Sequence, residues 1–317
     1  MLHRERTSRR QEYAMDAIKT VAILGAGAMG AFFAARFHDA GFSTSVVARG
    51  DRYERLKRDG LVVNGEFCAV PVIHPDEAAA PVDLVIVALK HHHLPEGVGD
   101  LNKIVGGDTT IMSVMNGLDS EEYIGAVYGM EKMLYAISVG IDALRKGNQI
   151  SYTIPGIHYF GDADNTTLSR RVRSVQAAFA RTGIPHDTPV DMMRMMWWKF
   201  MINVGMNQAS AVMRAPYGVF QSLPDARALM ESLMREVIGL AKASGVNLSE
   251  QDIADWYAVL DTLSPEGKTS MLQDIEARRK TEVEIFAGKV VELGNRQGIP
   301  TPVNQVLLNV IRVLERQ

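Results

Sequence analysis

The sequence predicts an α/β chain: an N-terminal Rossmann-type, doubly wound domain followed by an all-α domain. Three observations predict it. Short apolar runs alternate with helical stretches through the first half. A glycine-rich turn, Gly25-Ala26-Gly27-Ala28-Met29-Gly30, joins the first strand to the first helix. Strand patterns then vanish after about Asp191. The length of 317 residues exceeds what one core usually serves, so two domains are expected, at 19–188 and 189–317.

The elements follow in order. Residues 1–18 read as a frayed basic tail, with Arg4, Arg6, Arg9 and Arg10 against Glu5; a transit peptide or nucleic-acid arm is the alternative. Thr20 to Leu24 is a strand, Ala28 to Ala40 a helix stopped by Gly41, Ser43 to Ala48 a second strand and Asp51 to Asp59 a short polar helix. Asn64-Gly65 marks a hairpin within Leu61 to Val70. Val82 to Leu89 is almost continuously apolar, as a strand covered on both faces must be, and Thr109 to Val114 is another strand. Met133 to Ala143 and Gln149 to Phe160 read as longer strands joined at Lys146-Gly147-Asn148, and Thr166 to Thr182 as a helix ended by Gly183. Helices are then expected over 191–213, 224–244, 249–260, 270–297 and 302–315, with a break at Pro216-Tyr-Gly.

Composition narrows the function classes. A net charge of −3 argues against broad binding to nucleic acid or anionic membrane. No apolar run is long enough to span a bilayer and no secretory segment follows the arginines, so a cytoplasmic location is expected. The single cysteine, Cys68, excludes an internal disulfide and cannot alone form a thiolate metal site. His91, His92 and His93 are consecutive, so they point in different directions and lack metal-ligand spacing; no metal is expected.

The glycine turn follows a strand and opens a helix, the context that gives this motif meaning. Gly25 permits the tight turn, Gly27 lets the backbone approach a pyrophosphate and Gly30 lets the helix pack on the sheet. Arg49 ends the second strand, where an NAD site places an acid. A guanidinium there suits a 2′-phosphate, so NADPH is the expected cofactor; a solvated surface arginine is the plainer reading. Lys90 ends the strand 82–89 at the edge where ligands bind. Asn116, before Gly117, either bonds the nicotinamide end or forms a turn.

Lys199, Asn203 and Asn207 recur every four residues in a stretch otherwise rich in Met, Val, Ile and Trp. In a helix, each step of four drifts only about 40°, so the three share one face. A cation and two amides on an apolar helix imply a polar ligand. Hydride addition to a ketone leaves an alkoxide that needs a proton, and a desolvated ammonium is a competent donor. The plainer reading is a surface lysine snorkelling over Trp198.

With these pieces together the chain resembles the ketopantoate reductase (2-dehydropantoate 2-reductase) family. The resemblance rests on the glycine turn, Leu89-Lys90, Asn116-Gly117, Trp198-Lys199 with Asn203 and Asn207, Ser270-Met-Leu-Gln-Asp274 followed by Thr281-Glu282, and Gly298-Ile-Pro-Thr-Pro302. It implies NADPH-dependent reduction of 2-dehydropantoate to (R)-pantoate, on the route to pantothenate and coenzyme A. A monomer or homodimer is expected. It implies that Lys199 is the general acid, and that Asn116, Asn203, Asn207, Ser270 and Glu282 line the substrate site. Glu282 would orient the substrate hydroxyl, Ser270 would meet the carboxylate and Lys90 would sit near the cofactor. Ser270 with Gln273 also reads as a helix-starting capping box. On a continuous helix Glu282 shares an azimuth with Phe286, Lys289 and Leu293, which is also the pattern of a solvated glutamate. Met115 stands where members often have Gln, and Tyr217 where some place a substrate-receiving Asn; both bear on the substrate more than on the reaction. The alternatives are a paralogue reducing another 2-oxoacid and a non-enzymatic NADPH sensor. A sensor has no need of a proton donor among amides.

Overall fold

The computed structural model describes residues 17–317. The basic segment before them lies outside the described residues, and Ile18 already belongs to the buried core. The chain forms two compact units. One runs to Met115 and resumes over Ser120–Met192; the other joins Asn116–Asp119 to Met193–Gln317. A four-residue loop from the first half is thus part of the helical unit.

The first unit begins β1 (Thr20–Leu24), α1 (Ala28–Asp39), β2 (Ser43–Val47), α2 (Gly50–Asp59), β3 (Leu61–Val63), β4 (Glu66–Cys68), β5 (Val72–Ile73) and β6 (Leu84–Val87). It continues with α3 (Leu94–Gly97), β7 (Thr110–Ser113), α4 (Ser120–Tyr128), β8 (Met133–Val139), β9 (Leu144–Lys146), β10 (Gln149–Ser151), β11 (Ile157–Gly161), α5 (Arg170–Thr182) and β12 (His186–Asp187). The main sheet has the order β12-β11-β8-β7-β6-β1-β2-β5. Its strands from β5 to β8 are parallel, and β11 pairs antiparallel to β8.

Alternating residues explain why both faces are covered. Val21, Ile23, Leu84 and Ile86 pack with Phe32, Phe33 and Phe37 of α1. Ala22, Leu24, Val85 and Val87 pack on the other face with Leu94, Leu101 and Ile124. The chain leaves β1 towards β2 on one side and returns to β6 on the other, which makes the ends of β1 and β6 the switch point where ligands bind.

Of the two long strands expected at 133–143 and 149–160, the first ends at Val139 and the second is divided into β10 and β11. The turn at Lys146-Gly147 joins β9 to β10, which form a second sheet, β4-β3-β10-β9, while β8 and β11 stay in the main sheet. The helix expected from Thr166 starts at Arg170, where the Ser169 hydroxyl accepts from the Val172 N–H (3.2 Å).

The helical unit contains α6 (Met192–Ile202), a π-helical segment (Asn203–Asn207), α7 (Gln208–Met213), α8 (Tyr217–Ser222), α9 (Pro224–Ala243), α10 (Glu250–Leu260), α11 (Ser270–Glu276), α12 (Ala287–Gln297) and α13 (Pro302–Leu314). Its core gathers Phe200, Met201, Phe220, Met230, Met234 and Phe286. A helix begins at Tyr217 where only a break was expected.

The helix expected over 270–297 is two helices. α11 closes with Arg278 N–H bonded to the Ile275 carbonyl and Arg279 N–H to the Asp274 carbonyl, with Arg278 at φ +52°. This is a Schellman stop in which arginine occupies the position glycine usually takes. Glu282 therefore lies in the joint between helices, and the reading of its face on a continuous helix is corrected.

Candidate active site

The first unit builds the glycine cradle at the β1/β6 switch point. Gly25 has φ +102°, and a Cβ there would lie 2.7 Å from the Ala88 carbonyl oxygen. A Cβ at Gly30 would lie 1.7 Å from the Gly25 carbonyl oxygen. Both positions therefore admit only glycine. At Gly27 a Cβ would meet nothing nearer than 4.0 Å, so the backbone there faces open space at the start of α1. Gly27 is the N-cap of α1 and brings no capping side chain, so the peptide N–H groups of Ala28, Met29 and Gly30 begin the helix without one. An uncapped helix start behind a bare backbone fits a pyrophosphate.

Arg49 caps the start of α2 and is exposed. Its Nε lies 2.9 Å from Asp100 Oδ1, and a terminal nitrogen lies 3.5 Å from Asp76. Lys90 caps the short turn His91–His93 after β6. Among the described residues no cluster of three or more His, Cys, Asp or Glu is arranged to hold a metal.

The helical unit brings four of the expected site residues into one hydrogen-bonded line. Asn116 Nδ2 donates to Glu282 Oε2 at 2.9 Å. Asn203 Nδ2 points to Asn116 Oδ1 at 3.4 Å, and Asn207 Nδ2 to Asn203 Oδ1 at 3.5 Å. Asn203, Asn207 and Glu282 are buried. At Asn116 the chain bends, with Gly117 at φ +98°, and the side chain joins this line.

The line depends on local structure that the sequence pattern did not disclose. The π-helical segment 203–207 interrupts the regular ladder. Gln208, fully buried, takes the Val204 carbonyl with its Nε2 (2.8 Å) and receives the Ala287 N–H on its Oε1 (3.1 Å). Gly205 lets α9 approach: a Cβ there would lie 2.5 Å from Met234 Cγ and 3.0 Å from the Met230 carbonyl oxygen. The loop carrying Asn116 is held by a 2.7 Å ion pair between Asp119 and Lys289. In the sequence Lys289 stands out only as part of a mixed face, which carries no signal of a distant loop.

Lys199 is half-buried on α6, one helical step before Asn203. No carboxylate or hydrogen-bond partner engages it among the described residues. Burial lowers its ammonium pKa from 10.5 to about 8. It is thus an acid of unusual strength for a lysine.

Ser270 is exposed at the first position of α11. The capping residue is Thr269, whose hydroxyl accepts from the Leu272 N–H at 3.1 Å and donates to Ser210 Oγ at 3.1 Å. The capping box expected at Ser270 is corrected accordingly. Thr269 is buried because Thr, unlike Ser270, also faces α7 through that bond.

Comparison with known proteins identifies the family. The profile described as "Ketopantoate reductase PanE/ApbA" matches residues 21–165, and that described as "Ketopantoate reductase PanE/ApbA C terminal" matches residues 191–315. The chain belongs to the ketopantoate reductase family. A 2-dehydropantoate 2-reductase of Archaeoglobus fulgidus is 28% identical over 298 residues, covering 94% of this chain and 98% of its own. One from Aquifex aeolicus is 24% identical, covering 92% and 96%. The solved 2-dehydropantoate 2-reductase of Geobacter metallireducens has a TM-score of 0.83 at 26% identity, covering 93% of this chain and 99% of its own. D-mandelate dehydrogenase, solved with NADH and anilino(oxo)acetate, shares the fold with a TM-score of 0.86 at 21% identity, over 94% and 98%. The ketopantoate reductase layout thus extends over both units of this chain. No helix among the described residues is long and apolar enough to cross a membrane.

Proposed function

We propose that this protein reduces a 2-oxoacid, 2-dehydropantoate, to (R)-pantoate with NADPH, supplying pantothenate and coenzyme A synthesis in the cytoplasm as a monomer or homodimer. The observation that carries the reading is Lys199, an ammonium with its pKa lowered to about 8 one helical step from a buried line of amides ending on a carboxylate. The family membership supports the substrate, and Arg49 at the end of β2 supports the phosphorylated dinucleotide.

The glycine cradle and the start of α1 would hold the pyrophosphate, with Arg49 and Lys90 as the basic groups of that unit. A bound reduced nicotinamide supplies the hydride. Lys199 donates a proton to the ketone oxygen, so that C=O becomes CH–OH and no alkoxide is released. Its charge also polarises the carbonyl before transfer. Asn116, Asn203 and Asn207 offer amide groups to the oxoacid, Ser270 meets its carboxylate, and Glu282 orients its hydroxyl. Glu282 Oε2 accepts from Asn116 Nδ2, which sets the direction of the amide line.

The test is a panel of 2-oxoacids with both reduced nicotinamides, followed by loss of cofactor absorbance. Fastest turnover is expected with 2-dehydropantoate and NADPH, and Arg49→Ala should weaken NADPH more than NADH. Tight cofactor binding without turnover on any oxoacid would instead identify a sensor.

A further inference from the structure

We propose that Asp100 is a specificity-determining residue of the dinucleotide site: it competes with a 2′-phosphate for Arg49 and so weakens the preference for the phosphorylated cofactor. The inference rests on the dinucleotide reading above. Arg49 stands at the end of β2, the position where an acid recognises a ribose hydroxyl or an arginine a 2′-phosphate. Here both chemistries occupy one place. The guanidinium Nε lies 2.9 Å from Asp100 Oδ1, and Asp76 approaches a terminal nitrogen at 3.5 Å. Two carboxylates already surround one cation.

Asp100 is the stronger competitor. Its side chain is 13% exposed, against 67% for Asp76. It lies in the tight turn Val98–Leu101, which the Tyr128 hydroxyl fastens by donating to the Val98 carbonyl at 2.6 Å. A carboxylate on a fastened turn cannot easily withdraw. An arriving phosphate would either break the Asp100 bond or bind the remaining N–H groups against a like charge at close range. A 2′-hydroxyl meets no such obstacle, since it can donate to the carboxylate. Asp100 therefore costs affinity for the phosphorylated ribose and not for the plain one.

The experiment is calorimetric titration of the ligand-free full chain with 2′,5′-ADP and with 5′-ADP. Asp100→Asn should tighten 2′,5′-ADP about fivefold and leave 5′-ADP equal or weaker, while Asp76→Asn should change either by less than about twofold. Asp100→Ser is run beside it, with thermal melting as the check on folding, so that loss of one variant leaves the other to decide. Unchanged or weaker binding of 2′,5′-ADP in the folded variant overturns the proposal. Arg49→Met separates the two readings. If it loses 2′,5′-ADP selectively while the Asp100 variants show no gain, only the Asp100 inference fails. If it loses neither ligand, the 2′-phosphate role of Arg49 fails as well.

Discussion

Asn116 donates its side-chain amide to Glu282 at 2.9 Å across 166 residues of sequence. That bond gives the site its polarity. Asn116 turns its NH2 towards the Glu282 oxygen and its own oxygen towards Asn203, and Asn203 repeats the arrangement towards Asn207. The contacts lengthen away from the carboxylate, from 2.9 to 3.4 to 3.5 Å, as expected when only the first is charge-assisted.

Replacing Glu282 by Gln keeps the volume and removes the fixed direction. A buried charge-assisted bond contributes about 1.5–3 kcal/mol, so kcat/KM should fall by about ten- to a hundredfold. Steady-state kinetics on the folded variant check this; an unchanged kcat/KM would show that the amide line has no part in turnover.

Lys199 should trade stability for activity. Its pKa is lowered from 10.5 to about 8, so folding disfavours the charged form, and below about pH 8 the native state carries the full cost, on the order of 3 kcal/mol. That cost recedes as the pH rises from 8 towards 10.5. Lys199→Met removes the charge while keeping the stem. At neutral pH it should melt several degrees higher and lose at least about a hundredfold in kcat, the contribution typical of a general acid. A variant that melts lower and keeps its rate would contradict both halves of the assignment.

The proposed donor role of Lys199 also predicts a pH profile. The donor must be protonated to act, so reduction should be level on the acid side and fall as the pH rises through about 8. Oxidation of the alcohol needs the neutral amine and should show the opposite limb. Rates measured in both directions over the same buffers give the two curves, and a basic limb that persists in Lys199→Met would assign the titration to another group.

Much of this architecture is legible in the sequence because its signals are local. Gly25, Gly27 and Gly30, spaced between an apolar run and a helical pattern, announce a strand-to-helix turn, and the four-residue recurrence of Lys199, Asn203 and Asn207 announces a polar stripe. What escapes the sequence is set by distant partners. The π-helical segment leaves no mark except Gly205, whose missing side chain matters only once Met230 and Met234 of α9 are against it. The end of α11 is hidden because Arg278, not Gly, adopts the left-handed position, and so Glu282 reads as helical when it is not. The loop Asn116–Asp119 looks like a turn of the first unit, and only Lys289 and Glu282, far along the chain, draw it to the helices.

His158 supplies an acid-sensitivity test in the first unit, independent of the chemistry. It is buried against Phe32 and Phe33, with its Nε2 3.1 Å from the Pro155 carbonyl and its Nδ1 2.8 Å from the Ser138 hydroxyl. A carbonyl only accepts, so Nε2 carries the proton and the neutral ring accepts from Ser138 at Nδ1. Burial lowers its pKa from 6.5 to about 4. Because the folded value is the lower one, the unfolded chain takes up the proton first as the pH falls. The stabilisation is complete above pH 6.5 and is lost progressively towards 4, by about 3 kcal/mol. His158→Gln retains a donor and an acceptor but does not titrate, so its melting temperature should decline less steeply between pH 6.5 and 4 than that of the parent protein. Parallel declines in the two proteins would show that the imidazole is not what acid attacks.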